Sequence, residues 1–369
     1  MKALIYNGVG KCKLVDKEIP RLSGGLDALV KMQRTTICGS DLHILKGDVP
    51  TCTPGRTLGH EGIGVIEETG QEVKNFKKGD RVLIRYHCCQ ILFGLADFTF
   101  FSSSMADCCV KAGWILGHTV DGSQAEYVRI KYADTSLYHV PNNVDERTLL
   151  LFSDILPTGL EVGVLRGKVQ PGSTVAIVGA GPVGLAAGLT AQLYAPRKLV
   201  FFDMDDYRLS VAKKMGATHV YNVKDIKGTV RDLVAEHIDE ADGFDVVMEA
   251  VGIPATFNMC EDLVAKGGHI ANMGVHGKSV DLHIERLWAR STTISMALVS
   301  AHTIPTLLNL FAAGKIDASA MVTHDFKFSD IEKAYDHFGR AAETKSLKVS
   351  IEFDPSSAKA GAERRGQRL

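Results

Sequence analysis

The sequence predicts an α/β protein, with a doubly wound parallel sheet in the middle of the chain and a β-rich region before it. Three observations predict this. The β-branched, apolar run Thr174–Val178 is followed directly by a glycine-rich turn and a helical stretch. The same alternation of strand and helix recurs to about residue 296. The first 155 residues instead carry short strand-like runs broken by Gly, Pro and Asp turns.

Thr174–Val178 has no polar alternation, so it reads as a strand buried on both faces. A helix is expected over about 182–194, then a strand over 199–202 and a helix over about 205–215. Gly216 stands just past that helix, where glycine is favoured. A strand over 245–249, a helix ending near 266–268 and a strand over 269–273 follow. Strands separated by helices of this length build βαβ units and a parallel sheet. Residues 156–296 are therefore read as one domain, and 1–155 as another with turns at Asn7-Gly8, Ser23-Gly24-Gly25 and Lys78-Gly79-Asp80. Helices over 303–313 and 329–338 and a strand over 347–351 are expected to return to the first domain, making 297–353 its C-terminal part. The Ala-, Gly- and Arg-rich stretch 354–369 is expected to be a disordered tail.

Composition removes several classes of function. Lysine plus arginine (42) nearly cancels aspartate plus glutamate (43) in 369 residues, leaving a net charge of -1 and none of the basic excess of a nucleic-acid binder. A hydrophobic share of 45% with 23% charged residues is that of a globular chain. No apolar run approaches the ~20 residues of a membrane helix. The first residues hold too brief an apolar segment for a signal peptide. Eight cysteines are too sparse for a disulfide scaffold. A soluble, cytoplasmic protein is expected, with neither nucleic acid nor membrane as a partner.

Gly179-Ala180-Gly181-Pro182-Val183-Gly184 is a G-x-G-x-x-G that follows a strand and opens a helix. That context makes it a dinucleotide-binding fingerprint of the Rossmann kind. Gly179 makes the tight turn, Gly181 lets the backbone approach a pyrophosphate, and Gly184 allows helix and strand to pack closely. The helix start at Pro182 and Val183 supplies N–H donors and positive potential. Asp203 lies nineteen residues after Gly184, where a carboxylate accepts bonds from the adenosine ribose hydroxyls. The same carboxylate repels a 2′-phosphate, so NAD is expected over NADP. Arg208 is placed beside the adenosine end, where a solvated helix arginine is the competing reading.

Cys38-Gly39-Ser40-Asp41-Leu42-His43 and Gly59-His60-Glu61-Gly62 carry the residue types that bind Zn²⁺, a thiolate and an imidazole. A catalytic zinc needs a third protein ligand and one open position, and Asp154 in the run FSDILPTG is the candidate. Singly, the three also fit a buried thiol, a core histidine and a helix-capping aspartate. A dinucleotide site in the same chain favours the metal reading.

With these segments, the chain resembles the zinc-dependent medium-chain alcohol dehydrogenases. The matching pieces are CGSDLH at 38–43, GHEGIGVIEETG at 59–70, GDRV at 79–82, DGSQAEYV at 121–128, SDILPTG at 153–159 and VAIVGAGPVGLAA at 175–187. The likeness runs to about Phe353 apart from one segment. It implies a Rossmann domain beside a β-rich GroES-like catalytic domain. It further implies that Cys38, His60 and Asp154 hold a catalytic zinc, although many relatives have a second cysteine where this chain has Asp154. Glu61 would be an alternative ligand during exchange. Asp41 would accept a hydrogen bond from the His60 ring. Ser40 would bond the substrate hydroxyl, Thr158 would pack near the nicotinamide, and Lys348 would approach the pyrophosphate.

The implied reaction is NAD-linked, reversible oxidation of small primary or secondary alcohols to aldehydes or ketones. A zinc ion held by those residues would supply Lewis acidity at the substrate oxygen. The proton leaves through Ser40, a cofactor ribose hydroxyl and His43, an imidazole suiting an exit near neutral pH. A bound nicotinamide would supply the hydride acceptor. Two other readings are a polyol or sugar-alcohol dehydrogenase of the same superfamily and an inactive NAD-binding homologue. The resemblance also implies a homodimer or homotetramer.

Many relatives hold a structural zinc on four cysteines spaced C-x2-C-x2-C-x7-C. Here the corresponding stretch, 85–113, offers only the adjacent pairs Cys88-Cys89 and Cys108-Cys109. Neighbouring side chains in extended backbone point to opposite sides, so one pair rarely supplies two tetrahedral ligands. No structural zinc of the usual kind is expected; a site rebuilt from one cysteine of each pair plus His87 is the competing reading. Genuine divergence and a local reading-frame or splice error would both give well-matched flanks around such a segment. Trp114, beside it, fits either an apolar substrate pocket or ordinary core.

Overall fold

A computed structural model describes residues 1–85, 114–141, 144–237 and 242–354. The chain forms two compact units. The first comprises Met1–Asp154, Ser300–Leu308 and the chain from Val322; the second comprises Ile155–Val299 and Asn309–Met321. Of the C-terminal segment, then, residues 309–321 group with the second unit.

In the first unit β1 (Lys2–Tyr6) and β2 (Cys12–Asp16) form an antiparallel hairpin. The main sheet is built around β3 (Ala28–Thr35), whose Ala28, Leu29 and Val30 are fully buried. It pairs antiparallel with β4 (Gly62–Thr69), which pairs in turn with β5 (Arg81–Ile84). β6 (Tyr127–Ile130) runs along the first half of β3, and β7 (Leu137–His139) pairs with β5. The register Thr35↔Gly62 matters for function. It puts the residues just after β3 and those just before β4 at one end of the sheet. The helix Gly39–Lys46 starts from that end.

The second unit holds six parallel strands: β8 (Thr174–Val178), β9 (Lys198–Asp203), β10 (His219–Asn222), β11 (Phe244–Glu249), β12 (Val264–Asn272) and β13 (Thr293–Met296). Their order across the sheet is β10-β9-β8-β11-β12-β13. That is the 3-2-1-4-5-6 order of a doubly wound dinucleotide fold, in which ligands bind outside the carboxyl ends where the order reverses. Here the reversal lies between β8 and β11. β8 is buried along its whole length, as its unbroken apolar run predicts. The helix Pro182–Ala191 begins with proline at its first position, where the missing N–H has no helical acceptor to lose. One expectation fails. Residues 266–268 do not end a helix, because the helix stops at Leu263 and β12 begins at once. The pairing of β11 with β12 jumps from Phe244↔Val264 to Val246↔His269, and Gly267, at φ +73°, lies in the extruded stretch.

The chain returns to the first unit through β14 (Val322–Lys327) and β15 (Lys348–Glu352), and β15 pairs antiparallel with the end of β3. Among the described residues no single helix is long and apolar enough to cross a membrane. The expected tail lies outside the described residues, apart from Asp354.

Candidate active site

At the shared end of β3 and β4 in the first unit, Cys38, His60, Glu61 and Asp154 bring one ligand atom each to within 4.8 Å of one another. Cys38 is the residue that caps the helix Gly39–Lys46, His60 and Glu61 lead into β4, and Asp154 follows the short helix Leu150–Phe152. Cys38 Sγ lies 3.5 Å from Asp154 Oδ2, and His60 Nε2 lies 3.4 Å from the same oxygen. A tetrahedral zinc with metal–sulfur near 2.3 Å and metal–nitrogen or –oxygen near 2.0–2.1 Å needs ligand edges of about 3.5 Å and about 3.3 Å. The three donors therefore fit the ion in chemistry, and the two edges to Asp154 fit it in length. Among the described residues the buried Glu61 Oε2 has no hydrogen-bond partner, and Oε1 sits 3.9 Å from His60 Nε2. A fourth ligand in reserve would look like this.

The surroundings favour positive charge. Burial works against a charged His60 ring, but the carboxylate of Asp154, Cys38 and Asp41 push it well above the usual imidazole range. Asp41 accepts the Cys38 backbone N–H at 2.9 Å; its Oδ1 stands 3.7 Å from His60 Nδ1, too long for the hydrogen bond that the resemblance implies. Gln124 donates to Asp41 Oδ2 at 3.3 Å and to the Thr36 carbonyl at 3.0 Å, and the Tyr335 hydroxyl donates to Gln124 at 2.8 Å. The Thr35 and Ser123 hydroxyls donate to the Glu61 carbonyl at 2.8 and 2.7 Å. This buried polar shell fixes the ligands, and the sequence reading missed Gln124 and Tyr335. Gln124 falls within the matched segment DGSQAEYV, which was a usable signal; Tyr335 had none.

Lys348, expected near the pyrophosphate, has its ammonium 2.5 Å from Glu61 Oε1 and 3.2 Å from the Ile37 carbonyl. Burial alone would lower this lysine; the Glu61 carboxylate, Cys38 and Asp154 hold it above the usual lysine range. Burial raises the Glu61 carboxyl, and Lys348 opposes that. Ser40 Oγ lies 3.5 Å from His60 Nε2. His43 is paired through Nδ1 with Asp48 Oδ2 at 2.8 Å, a partner the sequence reading also missed. The Trp114 and His60 rings stand at 72° with centroids 6.1 Å apart, and the Trp114 ring also lies tilted against His118 at 4.7 Å.

The second unit carries the glycine fingerprint at the end of β8. Gly179 turns with φ +107°, and a Cβ on Gly184 would lie 1.9 Å from the Gly179 carbonyl oxygen. Among the described residues a Cβ on Gly181 would meet only Arg208 Nη1, at 3.7 Å, so the backbone there is open to a ligand. Asp203 ends β9, accepting the Ala180 N–H at 2.6 Å and the Asp205 N–H at 2.9 Å. These bonds hold the carboxylate beside the turn and leave lone pairs for hydroxyl donors. The arrangement fits a dinucleotide. Thr158 ends the short helix Ile155–Thr158 in the same unit and is half-buried. The expectations for Cys88, Cys89, Cys108, Cys109 and His87 lie outside the described residues.

Residues 24–142 match the family model of the alcohol dehydrogenase GroES-like domain, and residues 182–313 match that of the zinc-binding dehydrogenases. An alcohol dehydrogenase of Cupriavidus necator is 33% identical over 368 residues, covering 95% of this chain and 98% of that protein. An L-threonine 3-dehydrogenase of Shewanella putrefaciens is 30% identical, covering 92% and 96%. Among solved structures, the apo form of zinc-dependent alcohol dehydrogenase 2 from Streptococcus pneumonia matches with a TM-score of 0.89 at 46% identity, over 96% of this chain and 99% of that one. With both halves matched and full-length relatives at this identity, the chain belongs to the zinc-dependent medium-chain alcohol dehydrogenases, a family of oxidoreductases.

Proposed function

We propose that this protein is an NAD-linked dehydrogenase that reversibly oxidises small primary or secondary alcohols, with a zinc ion held by Cys38, His60 and Asp154. The observation that carries this reading is the set of ligand edges at 3.5 and 3.4 Å, shared by a thiol, an imidazole and a carboxylate. When bound, zinc supplies Lewis acidity at the substrate oxygen and the nicotinamide supplies a hydride acceptor. The chain's own residues do the rest. Ser40 Oγ, close to the ligand set, binds the substrate hydroxyl and takes its proton. His43, three residues further on the same helix and so on the same face, discharges the proton to water. Asp41 orients His60, and Glu61 stands in as a ligand during exchange.

On the cofactor side, Gly179, Gly181, Pro182, Val183 and Gly184 cradle the pyrophosphate. Asp203 receives the ribose hydroxyls and favours NAD over NADP, Arg208 flanks the adenosine, and Thr158 packs near the nicotinamide. A polar secondary alcohol is the second reading, supported by the L-threonine 3-dehydrogenase relative; the Trp114 ring beside His60 favours a less polar one. A second copy of the chain suits the edge strand β13, where Met296 is 63% exposed, with Trp288, 75% exposed, in the turn of helix ahead of it, in keeping with a homodimer or homotetramer. Cys12, Cys52 and Cys260, unpaired among the described residues, suit a reducing, cytoplasmic setting.

Elemental analysis of the purified protein, with an alcohol panel and NAD, tests the reading. About one zinc per subunit and turnover lost in Cys38→Ser, with NAD affinity kept, are expected. Near two would place a further metal in 86–113. No zinc, with neither occupancy nor activity restored on adding it, would overturn the reading.

A further inference from the structure

We propose that Asp48 is a positioning residue for His43 that fixes which ring nitrogen handles the proton; this rests on the function proposed above. The helix Gly39–Lys46 ends in a left-handed glycine, Gly47 at φ +86°. Beyond it the Asp48 N–H donates to the His43 carbonyl at 3.0 Å, and the Gly47 N–H donates to that of Ile44 at 3.0 Å. This pair of bonds is the Schellman arrangement, which brings the side chains at the two ends of the outer bond together. Those side chains are His43 and Asp48, and their usual contact in this motif is apolar. Here it is a hydrogen bond of 2.8 Å between His43 Nδ1 and Asp48 Oδ2.

Helix stability does not ask for a carboxylate there. A negative charge beside a helix C-terminus faces the negative end of the dipole and is unfavourable. Its return lies in what it does to the ring. An ionised carboxylate can only accept, so Nδ1 carries the hydrogen and Nε2 keeps its lone pair. Among the described residues His43 Nε2 has no hydrogen-bond partner. The proton is thus accepted at Nε2, the resulting positive ring rests against Asp48, and release is to water, since the two side chains are 24% and 33% exposed. Two bonds to one turn, the backbone one and the side-chain one, also hold the ring in place on the face it shares with Ser40.

The test uses zinc-loaded, full-length protein with NAD and an alcohol that the wild type oxidises. Asp48→Ala and Asp48→Asn should each lower kcat by about tenfold or more, as loss of such an orienting partner does, with KM for the alcohol within about twofold and melting temperature unchanged or higher. His43→Gln should slow turnover at least as much, and His43→Gln/Asp48→Ala should match His43→Gln alone. ¹⁵N-histidine NMR reads the tautomer independently of turnover: Nδ1–H in the wild type, changing to Nε2–H in Asp48→Ala. Wild-type kcat in both Asp48 variants while His43→Gln is slow would reduce Asp48 to a helix terminator. An unchanged tautomer in Asp48→Ala would overturn the proposal whatever the activity. Wild-type turnover in His43→Gln would remove the relay and the proposal with it.

Discussion

Replacing Lys348 with methionine separates the two roles open to that residue, partner of Glu61 and contact of the cofactor. Its Nζ lies 2.5 Å from Glu61 Oε1, and the side chains of the pair are 2% and 1% exposed. Methionine keeps most of the buried stem and its packing while removing the charge. Glu61 is then left without the Lys348 ammonium, and among the described residues its Oε2 already has no hydrogen-bond partner. Removing one member of a buried ion pair costs about 3–5 kcal/mol, because the other charge stays behind without compensation. At ~2–4 °C per kcal/mol for a unit of this size, the melting temperature of the metal-stripped protein should fall by ~6–20 °C. Adding Glu61→Gln should recover most of that loss, since a neutral pair no longer buries a lone charge. Differential scanning calorimetry on the wild type, the two single variants and the double variant measures the coupling directly. NAD affinity is measured alongside by fluorescence. A Lys348→Met protein that melts within ~2 °C of wild type, yet binds NAD about tenfold more weakly, would refute the structural pairing and return Lys348 to the pyrophosphate.

Other consequences can be checked separately. With Asp203 in the ribose-binding role proposed above, Asp203→Gly should lower the kcat/KM ratio for NAD over NADP by about tenfold or more; an unchanged ratio would mean the ribose lies elsewhere. Burial raises Asp121, but its bonds to Lys17 and the Thr57 amide, together with the nearby Arg56, outweigh that and hold its carboxyl below the usual range. A depressed carboxyl stabilises above its unfolded pKa of about 3.9 and loses that contribution as pH falls through the folded value. Asp121→Asn should therefore lower stability near neutral pH by at most ~1 kcal/mol, given the exposure of the pair. The gap to wild type should close as the pH drops below about 4; a gap constant from pH 7 to 3 in urea melts would sink the assignment.

The parts of the fold that were legible are those whose burial writes a pattern. β8 is apolar throughout because both faces are covered, and the proline and glycines that follow it announce the turn and the helix. β10 and β13 stand at the two edges of the same sheet, where His219–Asn222 is only half-buried and Thr293–Met296 is largely open. With no buried face to fill, their residues carry no period to read. Lys266-Gly267-Gly268 misled for another reason. Glycine is favoured both past a helix end and in an extruded stretch of strand, and the sequence does not distinguish them.

The candidate site divides along the same physical line. Cys38 and His60 are brought together by the Thr35↔Gly62 pairing, a register set by the burial of whole strands and not by the ligands themselves. Their spacing therefore carries no signature; residue type beside a dinucleotide site made them candidates, and the resemblance joined them into one ligand set. Asp48 makes the point locally. It is five residues from His43 and reads as a polar turn residue. The left-handed turn at Gly47 places the two side chains against each other. A glycine just past a helix and a titratable residue at each end of the Schellman bond is a pattern that sequence alone can display. What sequence cannot supply is the direction of the imidazole, and proton transfer depends on that direction.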